Sequence, residues 1–314
     1  MATLSKPIAD SAKPRLPRVN RWKKSETWLF YLCISPWLIG FLIWTAGPMI
    51  YSFYLGLTSW DLFTAPRWVG LDNYKDIFTD NPDFWQSMKV TATYSFVSVP
   101  LSLVGALAIA LLLNSKVRGI AFFRTIFYLP SVLPAIAVAV LWIWVFNPQY
   151  GILNVLLGLV GISGPSWLGD PHWALPALIF MSLWSLGGSM IIYLAGLQGI
   201  SASLYEAAEL DGANKVQQLF RITIPQLTPT IFFNLILSII GSFQVFTQAY
   251  AMTKGGPQQS TLFYMYYLFD MAFIKFRMGY ASALAWILFA IILVFTLLVI
   301  RSSSLWVYYE SEAK

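Results

Sequence analysis

Apolar residues run along this chain in long unbroken blocks, separated by short polar segments. The blocks lie at about 28–57, 87–113, 121–146, 173–197, 230–252 and 279–300. A helix needs roughly 20 apolar residues to cross hydrocarbon, so the pattern predicts six transmembrane helices. A membrane β-barrel is excluded, because its strands read as ~10-residue alternating segments rather than continuous apolar blocks. The first block is longer than a bilayer requires and carries Pro36 and Pro48, which predicts tilt or a kink. It is too long for the apolar core of a signal peptide, and no small-x-small cleavage site closes it. Residues 150–160 are amphipathic but too short to span, and are expected along the outer surface. The expected architecture is therefore all-α and polytopic. A basic tail at 1–27 precedes the membrane domain at 28–300, and a short tail at 301–314 follows it.

Composition narrows the function classes. The chain has 314 residues, of which 58% are hydrophobic and only 11% charged, against about 25% charged in a soluble domain. Its mean hydropathy is +0.65. The 14 Trp, 16 Tyr and 23 Phe supply side chains suited to a membrane interface. These values exclude a disordered chain, a nucleic-acid module and an ordinary cytosolic enzyme. The single cysteine, Cys33, excludes a disulfide framework, and the single histidine, His172, excludes a histidine metal cluster.

The net charge of +6 reports topology, not a nucleic-acid partner. With the first tail inside, 14 of the 20 basic residues face inward: Lys6, Lys13, Arg15, Arg18, Arg21, Lys23, Lys24, Lys116, Arg118, Arg124, Lys215, Arg221, Arg301 and Lys314. Six face outward: Arg67, Lys75, Lys89, Lys254, Lys275 and Arg277. The positive-inside bias puts both termini and the loops near 114–120 and 199–228 in the cytoplasm. No span centre holds an evident charge, whereas ion-coupled carriers keep ionisable groups within the membrane. This disfavours a stand-alone secondary transporter, which should also show internal repeats. A membrane enzyme is disfavoured by the lack of a nucleophile–base or metal constellation.

The loop at 201–225 carries the sharpest local pattern. Ser203 and Glu206 have capping-box spacing, predicting a short helix through Leu204–Leu210. Asp211-Gly212 is expected to break it, Val216–Phe220 to start a second helix, and Pro225 to close that helix before the fifth span. A plain polar connector would explain such a loop. Two short helices with apolar edges, where no membrane core covers them, point instead to docking on a cytosolic partner.

Glu206-Ala207-Ala208, then Gly212 four residues after the last alanine, then Ile222-x-Ile224-Pro225 resembles the EAA loop of bacterial ABC importer permeases. The one departure is Ile224 where that pattern has Leu. Three further stretches resemble the carbohydrate-uptake branch: Val69-Gly-Leu-Asp-Asn-Tyr74, Thr253-Lys-Gly-Gly-Pro257 and Tyr280-Ala-Ser-Ala283. Together they extend the likeness from Trp28 to Ile300. The resemblance implies a type I ABC importer permease in the bacterial inner membrane, paired with a second homologous permease. Two ATP-binding subunits would dock beneath, and an extracytoplasmic solute-binding protein would deliver sugar from above. Glu206, Ala207, Ala208, Asp211, Gly212, Ile222 and Pro225 would form the ATPase-coupling element. No cofactor is expected in this chain, because ATP and magnesium would bind the partner subunits; no G-x-x-x-x-G-K-[ST] loop occurs here. Disaccharides, longer oligosaccharides, uronate polymers and glycerol phosphates are all carried by systems that resemble this one.

A sugar path needs uncharged hydrogen-bonding groups beside an apolar wall. Asn234, Ser238, Gly241, Ser242, Val245 and Gln248 recur at spacings of three and four in the fifth block, which places them on one helix face. Two readings of this stripe stand, since small and hydroxyl residues also make helix–helix contacts in bilayers. In the fourth block Ser185 and Gly188 are further path candidates, and Gly187-Gly188 marks either an unwound point or, more simply, close packing. His172 is expected at the surface. Thr253–Pro257 is expected as a turn, either a plain reversal or a contact for the binding protein.

Overall fold

The computed structural model describes residues 24–79, 81–115 and 118–308. The basic stretch 1–23, Asp80, Lys116 and the chain end at 309–314 lie outside the described residues, so the tail assignments and their charges are not addressed there. The chain divides into two compact units, Met1–Ser52 and Phe53–Lys314.

The first unit holds α1 (Lys24–Phe41), which continues through a π-helical turn at Leu42–Ala46 into α2 (Gly47–Gly56), whose last four residues are counted with the second unit. The widened turn ends two residues before Pro48, whose ring nitrogen has no N–H for the helical ladder. Trp28–Gly56 is thus one apolar helix, and the expected kink is a local bulge.

The second unit is built around α4 (Pro82–Leu113), which packs on α9 (Gly187–Gly199) and α12 (Ile224–Phe243). α4 starts five residues before the apolar block. Asn81 accepts the Asp83 N–H and Pro82 occupies the first turn, a start that needs no apolar side chains. A two-stranded ribbon, β1 (Thr58–Ser59) with β2 (Arg67–Trp68), is antiparallel and pairs Thr58 with Trp68. It is a small departure from the all-α expectation. The Val69–Tyr74 stretch then enters α3 (Asp72–Thr79), where buried Asn73 donates to the carbonyls of Gly56 and Thr58, both at 2.9 Å.

The third block is not one straight helix. α5 (Ile120–Val132) and α6 (Ala135–Val145) meet at 101°. Pro134 forces the preceding Leu133 into an extended conformation, with ψ 142°, as expected for a residue before proline. α7 (Ile152–Leu159) covers the amphipathic stretch. The fourth block is α8 (Pro171–Ser182), a 3-10 turn at Leu183–Ser185 and α9, bent by 44°. After α9, α10 (Ala202–Leu210) and α11 (Lys215–Gln218) form the polar loop.

The fifth block departs furthest from expectation. Helical structure runs unbroken over Lys215–Phe243, through a π-helical turn at Leu219–Thr223. Pro225 therefore sits in the first turn of α12, where its missing N–H costs little, and it does not close a separate helix. The C-terminal end stops at Phe243 instead of 252, and residues Ala249–Thr253 form a separate π-helical turn. α13 (Tyr264–Phe269) and α14 (Met278–Trp306) complete the chain, so the last helix passes six residues beyond the apolar block.

Among the described residues four helices are long and apolar enough to cross a membrane, or six if each bent pair is one span. Tyrosines close the end of the bundle where α4 begins. Asn81 donates to Tyr267 Oη at 2.7 Å and Tyr280 Oη at 2.8 Å, and Tyr264 Oη donates to the Leu284 carbonyl at 2.8 Å. The Thr253–Pro257 turn is a packed element of this cluster, more than a plain reversal. Gly255 has φ +81° and is buried, and a Cβ there would lie 3.1 Å from the Tyr266 ring.

Candidate functional site

The polar loop shows why its glycine lies where it does. α10 ends with the Gly212 N–H donating to the Glu209 carbonyl (3.1 Å) and the Ala213 N–H donating to the Ala208 carbonyl (2.8 Å). Gly212 adopts φ +77°. This is the Schellman arrangement, in which the left-handed residue follows the helix cap and one bond reaches back five residues. Ala208 is the third residue before the cap, so a glycine four residues after that alanine is a requirement of the turn itself. A Cβ at Gly212 would meet nothing within 4 Å. Backbone conformation, not space, selects glycine here.

The N-terminal end of α10 differs from expectation. Its cap is Ser201, with no side-chain cap bond, and Ser201 Oγ instead pairs with Ser203 Oγ at 2.8 Å. Glu206 therefore lies beyond the capping positions and is exposed. The capping box belongs to α11, where Asn214 and Gln217 exchange side-chain bonds at 2.9 and 2.8 Å. Lys215 Nζ donates to Glu209 Oε1 at 2.6 Å, and this bond holds the Glu209 carboxyl below its ordinary range.

Of the coupling candidates, Ala208, Asp211, Gly212 and Ile222 line one open cleft of about 340 Å³, together with Arg221. Glu206 and Ala207 lie outside it and are exposed, and Pro225 is in the first turn of α12. Beside the cleft, Leu210 is 90% exposed and Val216 and Phe220 each 63%. Single exposed apolar residues are ordinary, but here α10, α11 and the following π-helical turn each leave one large apolar side chain uncovered.

Farther along the Lys215–Phe243 helix the structure brings most of the path candidates together. Ser185, Ser238, Gly241, Ser242, Val245 and Gln248 line one cavity of about 370 Å³. Val245 and Gln248 reach it from beyond the end of α12, not along the helix stripe. The opposite wall was missed by sequence reasoning: Tyr94, Ser98 and Ser102 from α4, with Ser182 at the end of α8; Ser189, which stands beside Gly188 in the fourth block, completes it. The signal was present as i, i+4 spacing of hydroxyl residues in an otherwise apolar helix. Among the described residues, no charged side chain lines the cavity. The Ser182 and Ser242 hydroxyls donate to carbonyls three residues earlier, at 2.6 and 2.9 Å. Their oxygens remain available as acceptors.

A neighbouring cavity of about 300 Å³ at the α5–α6 bend shares Ser182, Ser185 and Gln248. Two candidates fall outside both cavities. Asn234 is 1% exposed; its amide donates to the Thr230 carbonyl and its Oδ1 has no partner. Helix packing has turned it away from the path. Gly188 lines neither cavity, and it is Gly187 that packs closely, since a Cβ there would fall 2.5 Å from the Phe127 carbonyl oxygen. His172 is exposed beside Asp170, and no group of three or more metal-ligating side chains occurs among the described residues.

The fold is that of a multi-pass helical membrane protein, with a serine-rich cavity among α4, α9 and α12 and a polar loop that leaves apolar side chains exposed. The chain belongs to the family described as binding-protein-dependent transport system inner membrane component, which it matches over residues 98–308; it is an ABC transporter permease subunit and not itself an enzyme. It is 50% identical to the probable ABC transporter permease YesP of Bacillus subtilis, over 90% of this chain and 92% of that one. It is 34% identical to the trehalose/maltose transport system permease MalF of Thermococcus litoralis, over 90% and 96% of the two chains. A chain in the crystal structure of a bacterial ABC transporter that imports the acidic polysaccharide alginate aligns with TM-score 0.79 and 28% identity, covering 89% of this chain and 96% of that one. The same type of transporter in complex with its alginate-pentasaccharide-bound periplasmic protein aligns with TM-score 0.78 and 26% identity, over 89% and 95% of the two chains.

Proposed function

We propose that this chain is one of two homologous permease subunits of a sugar importer in the bacterial inner membrane. It spans the membrane six times, with each bent helix pair as one span and both termini in the cytoplasm. A solute-binding protein releases a sugar or oligosaccharide into the path, and two separate ATP-binding subunits, which hold ATP and magnesium, drive its passage. The observation that carries the reading is the serine-rich, charge-free cavity on the same unbroken helix as the polar loop. Hydroxyl groups in an otherwise apolar wall can hydrogen-bond sugar hydroxyls without stripping a fixed charge of water. Relatives named for disaccharide and alginate transport support the substrate class.

The loop at 201–225 is the ATPase-docking element in this reading. Its exposed Leu210, Val216 and Phe220 supply apolar contact, and Glu206 presents charge to a basic residue of the ATPase. The test is purification of the complex from native membranes, followed by ATPase assay in vesicles with and without sugar-loaded binding protein. An ATP-binding subunit should copurify and its hydrolysis should rise with the loaded binding protein. Sugar uptake by the chain without such a subunit would defeat the reading.

Orientation has its own test. In a Cys33→Ser background, Val216→Cys should react with an impermeant thiol reagent only from the cytoplasmic side, and Asp72→Cys only from outside. Val216 is 63% exposed and belongs to no cap, so its replacement leaves the loop intact. Reversed labelling at either position would overturn both the orientation and the docking assignment.

A further inference from the structure

We infer that the hydroxyl contact between Tyr205 and Thr223 is the joint that ties α10 to the cavity-lining helix, making these two positioning residues for transport. The inference rests on the importer reading. Tyr205 Oη lies 2.9 Å from Thr223 Oγ1, and Thr223 Oγ1 in turn donates to the Gln218 carbonyl at 3.4 Å. Either hydroxyl can be the donor of the pair.

Thr223 and Gln218 are buried, at 5% and 4% exposure. Along α10 only Tyr205 and Ala208 are even partly covered, and every other residue of that helix is exposed. The orientation of α10 therefore depends on few contacts. One is the Schellman turn. Another is the Glu209–Lys215 ion pair, whose side chains are 56% and 81% exposed, so water and salt weaken it. The Tyr205–Thr223 bond is the sheltered one, where a hydrogen bond keeps more of its strength.

Its position on the receiving helix matters as much. Thr223 closes the π-helical turn Leu219–Thr223, immediately before α12. From there the helix continues without a break to Ser238 and Ser242, about 22 and 28 Å away at 1.5 Å per residue. Any roll of α10 that keeps the bond must carry the base of this helix with it. The serines at the other end would then move relative to Ser98 and Ser102 across the cavity. A π-helical turn at that point offers a place where the helix can change register locally.

The experiment compares sugar uptake, ATP hydrolysis and ATPase copurification in the reconstituted complex, with and without loaded binding protein. Tyr205→Phe and Thr223→Val each remove the bond while keeping the shape. Both should retain copurification and basal hydrolysis, while sugar moved per ATP hydrolysed falls roughly three- to tenfold, the scale of one hydrogen bond. Thr223→Ser keeps the hydroxyl and should stay within about twofold of the parent, below that range. The double variant should be no worse than Thr223→Val alone, because that substitution already deletes the contact with Tyr205, together with the Thr223–Gln218 bond that Tyr205→Phe leaves in place. A parental uptake-to-hydrolysis ratio in both single variants would overturn the inference. So would a serine variant as poor as the valine one, or loss of copurification, which would make the contact one of assembly. Failure of the importer reading would show separately, as an unsubstituted complex whose hydrolysis ignores loaded binding protein.

Discussion

Gly212→Pro is expected to abolish sugar-stimulated ATP hydrolysis while the protein still reaches the membrane. Three facts of the turn combine. Proline fixes φ near −65°, whereas the chain at 212 has φ +77°. It also removes the N–H that donates to the Glu209 carbonyl. Finally, the rerouted chain can no longer bring the Ala213 N–H to Ala208, so the α10–α11 cleft opens. Gly212→Val keeps the N–H but places a β-branched side chain in the left-handed region, at a cost of about 1–2 kcal/mol or more, and should lose most of the stimulation. Gly212→Asn is the informative control. Asparagine tolerates this conformation, and nothing lies within 4 Å of the added Cβ, so near-parental activity is expected. The measurement is ATPase activity in vesicles with and without loaded binding protein. Normal stimulation in the proline variant would reduce the loop to a connector.

The second large effect is expected at the cavity. Gly241→Leu projects a side chain into open space beside the path, because no atom lies within 4 Å of a Cβ at that position. Ser242→Leu replaces a 5%-exposed hydroxyl that lines the same cavity. Leucine at Gly241 acts by narrowing the path and leucine at Ser242 by overpacking a buried position, which costs about 1–3 kcal/mol; a barrier of that size to the passage of sugar lowers uptake roughly five- to 150-fold. Assembly with the ATPase should be unaffected. Ser238→Ala should lower uptake mildly through one lost hydrogen bond, whereas Asn234→Ala should not, since Asn234 is buried outside the cavity. Normal uptake in both leucine variants would make the stripe packing alone.

Removing the capping role of Glu206 changes what its substitutions should do. Had it capped α10, glutamine would have preserved an acceptor and been the milder replacement. As an exposed side chain beyond the cap, it would contribute to the proposed docking through its charge. Glu206→Gln and Glu206→Ala are therefore expected to weaken copurification of the ATPase to a similar degree, and a fully retained complex in the glutamine variant would remove that charge from the docking contact.

The sequence by itself determined the membrane character, the number of apolar blocks and the place of the sharp turn in the polar loop. These depend on composition, block length and local backbone rules, which act within a few residues. Gly212 is the clearest case, because its spacing from Ala208 is dictated by a hydrogen bond five residues long. Element ends were less legible. The start of α4 at Pro82 and the continuation of α14 to Trp306 depend on capping and helix propensity in polar segments, where an apolar pattern is silent. Pro225 read as a stop, yet it fits the first turn of a helix that a π-helical turn carries past it. Only the tertiary structure decided the cavity. Whether a hydroxyl on an apolar helix faces a neighbour or a path depends on how that helix is rotated against others distant in sequence. Packing turned Asn234 inward, brought Tyr94, Ser98 and Ser102 opposite Ser238 and Ser242, and carried Gln248 in from beyond the end of its helix. Periodicity marks a face of a helix, but what that face meets is set by the packing of the whole bundle.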